Sequence, residues 1–555
     1  MSTPDYVVLF GYFILITTFG IWISRRIKTS DSYFRGGRQF KWYIMIGQAF
    51  GVGTHAEMPV AQTGATFSNG FATIWYQWKN MLITPFYWLI APFYRRSERT
   101  TVGEIVEDRY GSSMGLVYTI FAILFFVFNM GVMLQGAAKV ISVASGNLVS
   151  PNFIVLAMTV AFILYSFIGG LIASAYTDFI QSFLIITLSI ILIPLGLREI
   201  GGFSYMRSVL PEHHFDVFNA ASGIDTFTIL MLAINGIVGI TAQPHMISMC
   251  ATGKTERAGR IGQTFGSMVK RLVTIGWALT GLVVGALAIK NSVTLPDPEM
   301  AFGYACGELL GPGLVGLMLS AIVAANMSAC SNFMVNIGAL FTKNLFRKYF
   351  RPDATDRDLL WTGRYSGLAL AFLAVLFALS IKNVLHAFLF TETLAAFMGI
   401  MFLGGLIWKR ANRYGAGAAV LSSLIVYYLA NYFYSGNLQL VYVWKPAPFG
   451  FAMFAGFLMF WLVSVLAPPE DKEKIELFFD NMRRKSDSAS TDALGRKPLG
   501  SETGEDLLLL DLPGWRRKER WQNFFKRYRE DLVGFLISWI VVGLLIFLAW
   551  AILQI

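Results

Sequence analysis

Long apolar blocks alternate with short polar or charged segments along almost the whole chain of 555 residues. The blocks are near the ~20 residues that an α-helix needs to cross about 30 Å of hydrocarbon. Their spacing predicts an all-α polytopic membrane protein with about 14 transmembrane helices. The predicted spans are 5–24, 40–62, 70–94, 115–146, 151–170, 172–197, 225–250, 266–289, 310–341, 361–381, 384–408, 413–435, 444–467 and 530–553.

The composition excludes an ordinary soluble enzyme. Hydrophobic residues make up 55% of the chain and charged residues 14%, where soluble proteins carry about 25% charged residues. The first block, Tyr6 to Ile23, lacks the basic flank and the cleavage pattern of a signal peptide, so a retained helix is predicted. The spacing of Cys250, Cys306 and Cys330 suits neither a disulfide framework nor a zinc site.

The net charge of +11 follows from the predicted topology. Most lysines and arginines fall in alternate loops, and the positive-inside rule places those loops in the cytoplasm. We therefore expect a multi-pass protein of the plasma (inner) membrane with both termini outside. Attraction to the anionic inner leaflet then explains the positive charge without a nucleic-acid partner. The predicted inside segments are 25–41, 95–114, 251–271, 342–364, 409–413 and 468–529.

Two predicted spans carry helix breakers beside ionisable residues. The second, IGQAFGVGTHAEMPVAQTG, contains His55 and Glu57, and the seventh, INGIVGITAQPHM, contains His245 directly after Pro244. Glycine and proline are common in membrane helices, so it is their pairing with ionisable residues that favours a site. Two discontinuous helices five spans apart indicate an inverted repeat whose freed backbone groups bind solute and ions near the middle of the membrane.

The longest polar stretch, 468–529, is predicted to be an inside basic and amphipathic linker. Its first part places Ile475, Phe478, Phe479 and Met482 at helical spacing. Its last part, WRRKERWQNFFKRYR, interleaves cations with aromatic residues. Such a segment is more typical of a helix on the inner membrane surface than of an RNA-binding segment.

Several motifs in the right order resemble the sodium/solute symporter family, which includes sodium/glucose cotransporters and proline permeases. They are GGLIASAYTDFIQ at 169–181, QPHMISMCATGK at 243–254, LSAIVAANMSACSNFMVNIGALFTKNLF at 319–346, and the FKWY segment before AFGVGTHAE. The resemblance implies a LeuT-like fold with a five-plus-five inverted repeat. The implied division is an N-terminal extra helix and loop (1–39), a ten-helix transport core (40–409), two accessory helices (410–467), the linker (468–529) and a C-terminal transmembrane helix (530–555).

The resemblance also implies sodium as the coupling ion, not as a bound prosthetic group. One family site combines carbonyls at the first helix break with groups on core helix 8, which match Gly51, Thr54, Ala325 and Ser328. The next position usually carries a hydroxyl but is Ala329 here, so one hard oxygen ligand is missing and a weaker site is expected. A second family ion position matches Asp178, Ser328, Ser331 and Asn332.

Apart from residues near the span edges, seven ionisable residues fall inside the predicted spans, where charges are costly and usually paired. With three carboxylates against two lysines, one negative charge would be left for a bound cation. We expect Glu57 to be a structural partner more than a solute contact, and His245 to cap a helix break. His55 is either a solute ligand or proton acceptor, or a packing residue. The seven are His55, Glu57, Lys79, Lys139, Asp178, His245 and Glu392.

The solute is the least constrained part of the prediction. Positions that meet sugar hydroxyls in the family match Met58, Gln77 and Asn80, and a methionine donates no hydrogen bond. The aromatic residues around Gln77 could enclose an amine, although such residues more often serve packing. These features favour an amino acid or amine over a sugar. The candidate solute ligands are Gly53, His55, Glu57, Met58, Gln77, Asn80 and Gln243.

The leading hypothesis is a secondary transporter that couples solute uptake to sodium by alternating access. The alternatives are a proton-coupled transporter, with the proton on His55 or Glu57, and a transporter-like membrane sensor that signals through 468–529. An enzyme is not expected, because the sequence has no nucleophile elbow, HExxH or P-loop. The expected partners are a small solute, sodium and the lipid bilayer, with no nucleic acid and no obligate protein partner.

Overall fold

A computed structural model gives the architecture of the chain. It describes residues 2–24, 40–52, 54–483, 508–516, 521 and 523–555. Within these ranges the side chains are described except those of residues 13, 16, 17, 19–24, 52, 164–182 and 185.

The described chain is helical almost throughout, and its named helices are numbered in chain order. They are α1 (Thr3–Ser24), α2 (Trp42–Val52), α3 (Glu57–Asn69), α4 (Trp75–Trp78), α5 (Thr84–Arg96), α6 (Val102–Tyr110), α7 (Ser112–Ala144), α8 (Pro151–Ile200), α9 (Phe203–Val209), α10 (Thr226–Gly239), α11 (Met246–Ala251), α12 (Glu256–Lys290), α13 (Ala301–Leu309), α14 (Leu314–Leu340), α15 (Asp356–Ser380), α16 (Val384–Ile407), α17 (Arg413–Ser435), α18 (Pro446–Leu466), α19 (Lys472–Met482), α20 (Phe524–Arg527) and α21 (Arg529–Leu553).

Eight helices among the described residues are long and apolar enough to cross a membrane, and a bent pair, Ile186–Ile200 with Phe203–Val209, would make a ninth. Helices α12, α14 and α16 form the interior, with 89% of the apolar window buried in each. Helices α17, α18 and α21 are buried over only about a third of theirs and present apolar side chains outward. The structure therefore supports a multi-pass helical membrane protein, while the count of 14 stays a prediction.

The second and seventh predicted spans are interrupted near the middle. Helix α2 ends at Val52 and α3 begins at Glu57. Helix α10 leads through a 3-10 turn, Ile240–Ala242, to an extended Gln243, and α11 begins at Met246. The residue before a proline is pushed to extended backbone, so Pro244 accounts for the second break.

Side chains from neighbouring helices satisfy the backbone groups that the breaks release. Tyr118 Oη donates to the Ala242 carbonyl at 2.5 Å, and Tyr94 Oη donates to the Thr241 carbonyl. At the first break, the Ala56 amide donates to Asn326 Oδ1 at 3.0 Å. Because buried backbone groups need partners, these contacts hold the breaks open as fixed structure.

Helix α12 lies against both halves of the first broken helix because it presents glycine at the contacts. A Cβ on Gly266 would lie 2.7 Å from the Ile46 carbonyl oxygen, and one on Gly281 would lie 2.7 Å from the Thr63 carbonyl oxygen. Small residues let membrane helices approach closely, and here they bring α12 to the site.

Two predicted boundaries differ from the structure. The spans 151–170 and 172–197 form one helix, α8, because Gly169 and Gly170 do not end it. Lys270 and Arg271 were counted with the inside segment 251–271, but both lie buried in the middle of α12. The helix begins at Glu256 because the Thr255 side chain caps it, accepting from the Ala258 amide.

The first part of the 468–529 linker packs on the membrane domain. Helix α19 buries Ile475, Phe478, Phe479 and Met482, which confirms their predicted helical spacing. Phe478 packs on Phe93 of α5, with 6.4 Å between ring centroids. Trp521 and Phe525 of the basic aromatic run are exposed, while residues 517–520 and 522 lie outside the described residues.

Candidate functional site

A small polar cavity lies between the two helix breaks. Its volume is about 50 Å³, which is room for a few water molecules or an ion and too little for an amino acid without side-chain movement. Charged and polar groups from several helices converge on it. The lining residues are Ala49, His55, Met58, Asn80, Tyr87, Phe125, Asn129, Ile240, Gln243, His245, Met249, Gln263, Ser267, Lys270, Arg271, Phe333, Phe388 and Glu392.

One wall of the cavity is a closed network around a buried ion pair. Lys79 Nζ lies 2.8 Å from Glu392 Oε2 and 2.9 Å from Asn235 Oδ1. The other carboxylate oxygen, Glu392 Oε1, accepts from Gln243 Nε2 at 2.8 Å. Lys79 is fully buried and Glu392 is 6% exposed. A buried carboxylate with both oxygens bonded is already compensated, so Glu392 is not a free anionic ligand.

His55 and Glu57 form a second buried pair at the first break. His55 Nδ1 lies 2.5 Å from Glu57 Oε1, and Glu57 Oε2 has no described hydrogen-bond partner. The imidazole stands edge-on to Phe333, with 6.0 Å between ring centroids. Glu57 is thus paired with a histidine, and His55 is the member of the pair that lines the cavity.

Two further cations, which the sequence analysis missed, also line the cavity. Lys270 and Arg271 line the cavity from α12. Arg271 Nη1 donates to the Gln77 carbonyl at 2.9 Å, whereas the Lys270 ammonium makes no hydrogen bond with any described residue. Both lie near one edge of the predicted span 266–289 and were counted with the inside segment 251–271, so they were left out of the buried charges. The burial of a cation pair inside the span Glu256–Lys290 is not encoded in the local hydropathy.

These two cations were not part of the predicted charge balance. Among the described side chains at the cavity and the first break, the charged groups are the carboxylates Glu57 and Glu392 and the cations Lys79, Lys270 and Arg271. Lys139, counted with the buried lysines, instead lies away from the cavity with Asp297 and Glu299, at 2.8 and 2.5 Å. With all groups ionised, these described side chains carry two negative against three positive charges, while the Asp178 side chain lies outside the described residues.

His245 was expected to cap the second break, but its side chain makes no capping bond there. It precedes α11 without a side-chain capping bond, and its Nδ1 has no described partner. The ring instead lies among aromatic residues, 6.0 Å from Phe125 and 5.8 Å from Phe333 between centroids. The break is held by Tyr94 and Tyr118 from outside, so the histidine faces the cavity.

The candidate solute ligands divide into three groups. His55, Met58, Asn80 and Gln243 line the cavity. Gln77 is buried behind it, with its Nε2 on the Met58 carbonyl at 3.2 Å, and Glu57 lies behind His55. Gly53 lies outside the described residues.

The candidate ion ligands with described side chains are buried near the end of α2, in the first break and on α14. Thr54 Oγ1 and Ser331 Oγ are buried hydroxyls without a described partner. Unsatisfied buried oxygens are costly unless something else binds them, and sodium favours such hard ligands. Ala329 is completely buried and offers no oxygen; the Asp178 side chain lies outside the described residues. The buried candidates are Gly51, Thr54, Ala325, Ser328, Ser331 and Asn332.

Comparison with known proteins places this geometry in a family. The chain is 28% identical to the osmoregulated proline transporter OpuE of Bacillus subtilis, over 76% of this chain and 87% of that protein. It is also 28% identical to the high-affinity proline transporter PutP of the same organism, over 83% and 98%. A solved Na⁺-coupled sialic acid symporter has the same fold, with a TM-score of 0.69, 19% identity, and coverage of 84% of this chain and 99% of that one.

A family model that matches most of the chain shows which family the protein belongs to. The family model described as the sodium:solute symporter family matches residues 33–423, which include both broken helices, the cavity and α14. The earlier resemblance and the LeuT-like fold are thereby confirmed at the level of the family. The chain belongs to the sodium:solute symporter family, whose members are membrane transporters with sodium as the coupling ion.

Proposed function

We propose that this protein is a symporter that couples sodium entry to uptake of a small zwitterionic solute of the amino acid class. The observation that carries the proposal is the pair of cations on α12. Lys270 and Arg271 line the cavity, while both oxygens of Glu392 are already occupied by Lys79 and Gln243. A buried lysine without a described hydrogen-bond partner can offer its N–H groups to a solute carboxylate, and such charge-assisted bonds are strong.

The choice of an amino acid over a sugar has further support. Aromatic and apolar side chains surround the polar groups, among them Met58, Phe125 and Phe333. Such a lining suits a compact zwitterion better than a molecule with hydroxyls in all directions, each of which needs a partner. The two proline transporters of Bacillus subtilis named above are consistent with this class.

Sodium would bind where the first break meets α14, at the ligands Gly51, Thr54, Ala325 and Ser328, with a second position around Asp178, Ser331 and Asn332. A potential of 100 mV supplies about 2.3 kcal/mol per charge, enough to concentrate a solute tens of times over. The five-plus-five repeat would move one helix bundle against the other around the cavity. The proposed orientation has both termini outside.

Uptake into proteoliposomes tests the proposal. We expect a sodium gradient, but not a potassium gradient, to drive uptake of L-proline or another small amino acid, with no competition by glucose. Lys270→Met should raise the KM for a carboxylate solute by roughly tenfold or more, because a charged hydrogen bond is lost. Lys382→Met is the matched control, since that side chain is exposed outside the helices.

Two outcomes would contradict the proposal in different ways. Uptake that ignores sodium but stops with a protonophore would assign the coupling to a proton, with His55 and Glu57 as its carriers. Uptake of glucose without competition by any amino acid would refute the solute class. A Lys270→Met variant with unchanged KM would remove that lysine from the solute site.

A further inference from the structure

The amide of Gln243 is held in one orientation. Its Nε2 lies 2.8 Å from Glu392 Oε1, and only the nitrogen end of an amide can donate to a carboxylate. A flipped amide would place its carbonyl oxygen against the carboxylate, which is repulsive. The backbone of Gln243 is fixed as well, because it is the extended residue before Pro244 at the second break.

Lys79 keeps the carboxylate in place for this task. Its ammonium bonds Glu392 Oε2 at 2.8 Å and Asn235 Oδ1 at 2.9 Å, and it is completely buried. The ion pair therefore neutralises Glu392 while leaving Oε1 free to accept from Gln243. The desolvation of a buried ion pair can cost as much free energy as the pairing returns. A role in positioning Gln243 explains why the pair is present.

The carbonyl oxygen of the same amide, Gln243 Oε1, is accessible from the cavity. Gln243 lines the cavity, and its Oε1 makes no hydrogen bond with any described group, nor is it a buried orphan. An accessible carbonyl oxygen with a fixed direction accepts a hydrogen bond and cannot donate one. The site is thereby polarised toward solutes that present an N–H or N⁺–H.

We propose that Gln243 is a specificity-determining residue whose Oε1 accepts a hydrogen bond from the protonated nitrogen of the solute, with Glu392 and Lys79 as positioning residues that fix the amide. This deepens the proposed function and rests on it. Lys270 would receive the carboxylate and Gln243 the ammonium, so the two ends of a zwitterion have separate receptors. In a solute with an ether oxygen in place of the nitrogen, that oxygen would face Gln243 Oε1, and two acceptors repel each other.

The test compares two probes that differ at one atom. L-Proline carries a ring NH₂⁺, and tetrahydrofuran-2-carboxylate carries a ring oxygen in its place. Sodium-dependent binding of each to the purified full-length protein gives a preference ratio. A site that bonds a substrate N–H strongly rejects the analogue without it. We expect the wild type to prefer proline by at least roughly a hundredfold, and Gln243→Met to reduce the preference by about tenfold or more.

The positioning residues have their own readout. Glu392→Asp keeps the carboxylate and should keep most of the preference. The double variant Lys79→Met with Glu392→Leu removes the pair without leaving an unpaired buried charge. The Gln243 amide is then free to rotate, and the preference ratio should fall to about that of Gln243→Met. Gln62→Met is the control, because Gln62 is an equally buried glutamine whose Nε2 bonds Thr66 outside the cavity. Its preference ratio should match the wild type.

The outcomes separate this inference from the proposed function. If no amino acid binds the wild type in sodium, the proposed function fails before any variant is made. If L-proline binds but Gln243→Met or the double variant, folded by thermal unfolding and size-exclusion chromatography, keeps the wild-type preference, the inference is refuted while the function stands. A variant that does not fold is replaced by Gln243→Asn, whose shorter side chain cannot span from Glu392 to the cavity, and the same preference ratio decides.

Discussion

The Nδ1 atom of His55 lies 2.5 Å from Oε1 of Glu57, within the break that separates α2 from α3. The pair holds an imidazole against Phe333 at the cavity while the carboxylate stays behind it. The hydrogen bond sets Nδ1 against the carboxylate and so orients the imidazole ring at the cavity. The pair is thus part of the scaffold of the break as well as of the cavity lining.

Glu57→Ala should destabilise the protein by about 1–3 kcal/mol, because a buried hydrogen-bonding group of His55 loses its partner. The midpoint of thermal unfolding in detergent measures the loss. Glu57→Gln retains an acceptor oxygen, so its unfolding midpoint should lie between those of the wild type and Glu57→Ala. Glu308→Ala replaces an exposed glutamate and is the control. An unfolding midpoint for Glu57→Ala equal to that of the control would show that the pair contributes nothing to the break.

The positions of the two breaks could be predicted from the sequence, because glycine and proline act locally. Gly51 and Pro244 fall within one or two residues of where the helices end. The ionisable residues beside them also mark the cavity, since His55 and His245 both line it and burial of ionisable groups in a membrane protein is costly unless they serve a site.

The pairing of the charges could not be predicted, because it depends on distance in space. Lys79 and Glu392 are separated by 313 positions along the chain. Lys270 and Arg271 were counted with an inside segment because they lie near the edge of the predicted span 266–289, whereas the helix extends from Glu256 to Lys290 and places them near its middle. Counting these two cations shifts the balance of the described charges at the cavity toward positive.

Lys79→Met should be among the most damaging single changes, costing about 3–5 kcal/mol, because it leaves the Glu392 carboxylate buried without its cation. Adding Glu392→Leu should recover a large part of that loss. Comparing the unfolding midpoints of both single variants and the double variant measures the coupling. Additive losses in the double variant would mean that the 2.8 Å contact does not couple the two residues.

Ala329→Ser should strengthen sodium binding. Ala329 is completely buried on α14, one position after Ser328, and the serine would add the hydroxyl that the proposed ion site lacks. Sodium prefers a full set of hard oxygen ligands. The sodium concentration for half-maximal uptake should fall several-fold, while the KM for solute at saturating sodium changes less. Ala339→Ser, on the same helix away from the proposed ligands, should leave the sodium dependence alone, and the same result for Ala329→Ser would argue against this ion site.

Gly136→Ala should impair transport although Gly136 lines no described part of the cavity. A Cβ at this position of α7 would lie 2.7 Å from Glu57 Cα and 2.9 Å from its backbone nitrogen. Backbone atoms cannot yield as a flexible side chain can, so α7 and the first break must move apart, which shifts His55 and the proposed sodium ligands together. Misplacement of about 1 Å can cost a hundredfold in a positioned site. We therefore expect sodium-driven uptake to fall at least tenfold, with both the KM for solute and the sodium dependence altered.

Gly543→Ala is the matched control, because a Cβ there meets nothing within 4 Å. Wild-type uptake by a folded Gly136→Ala variant would show that the close approach of α7 to the break is not needed for transport.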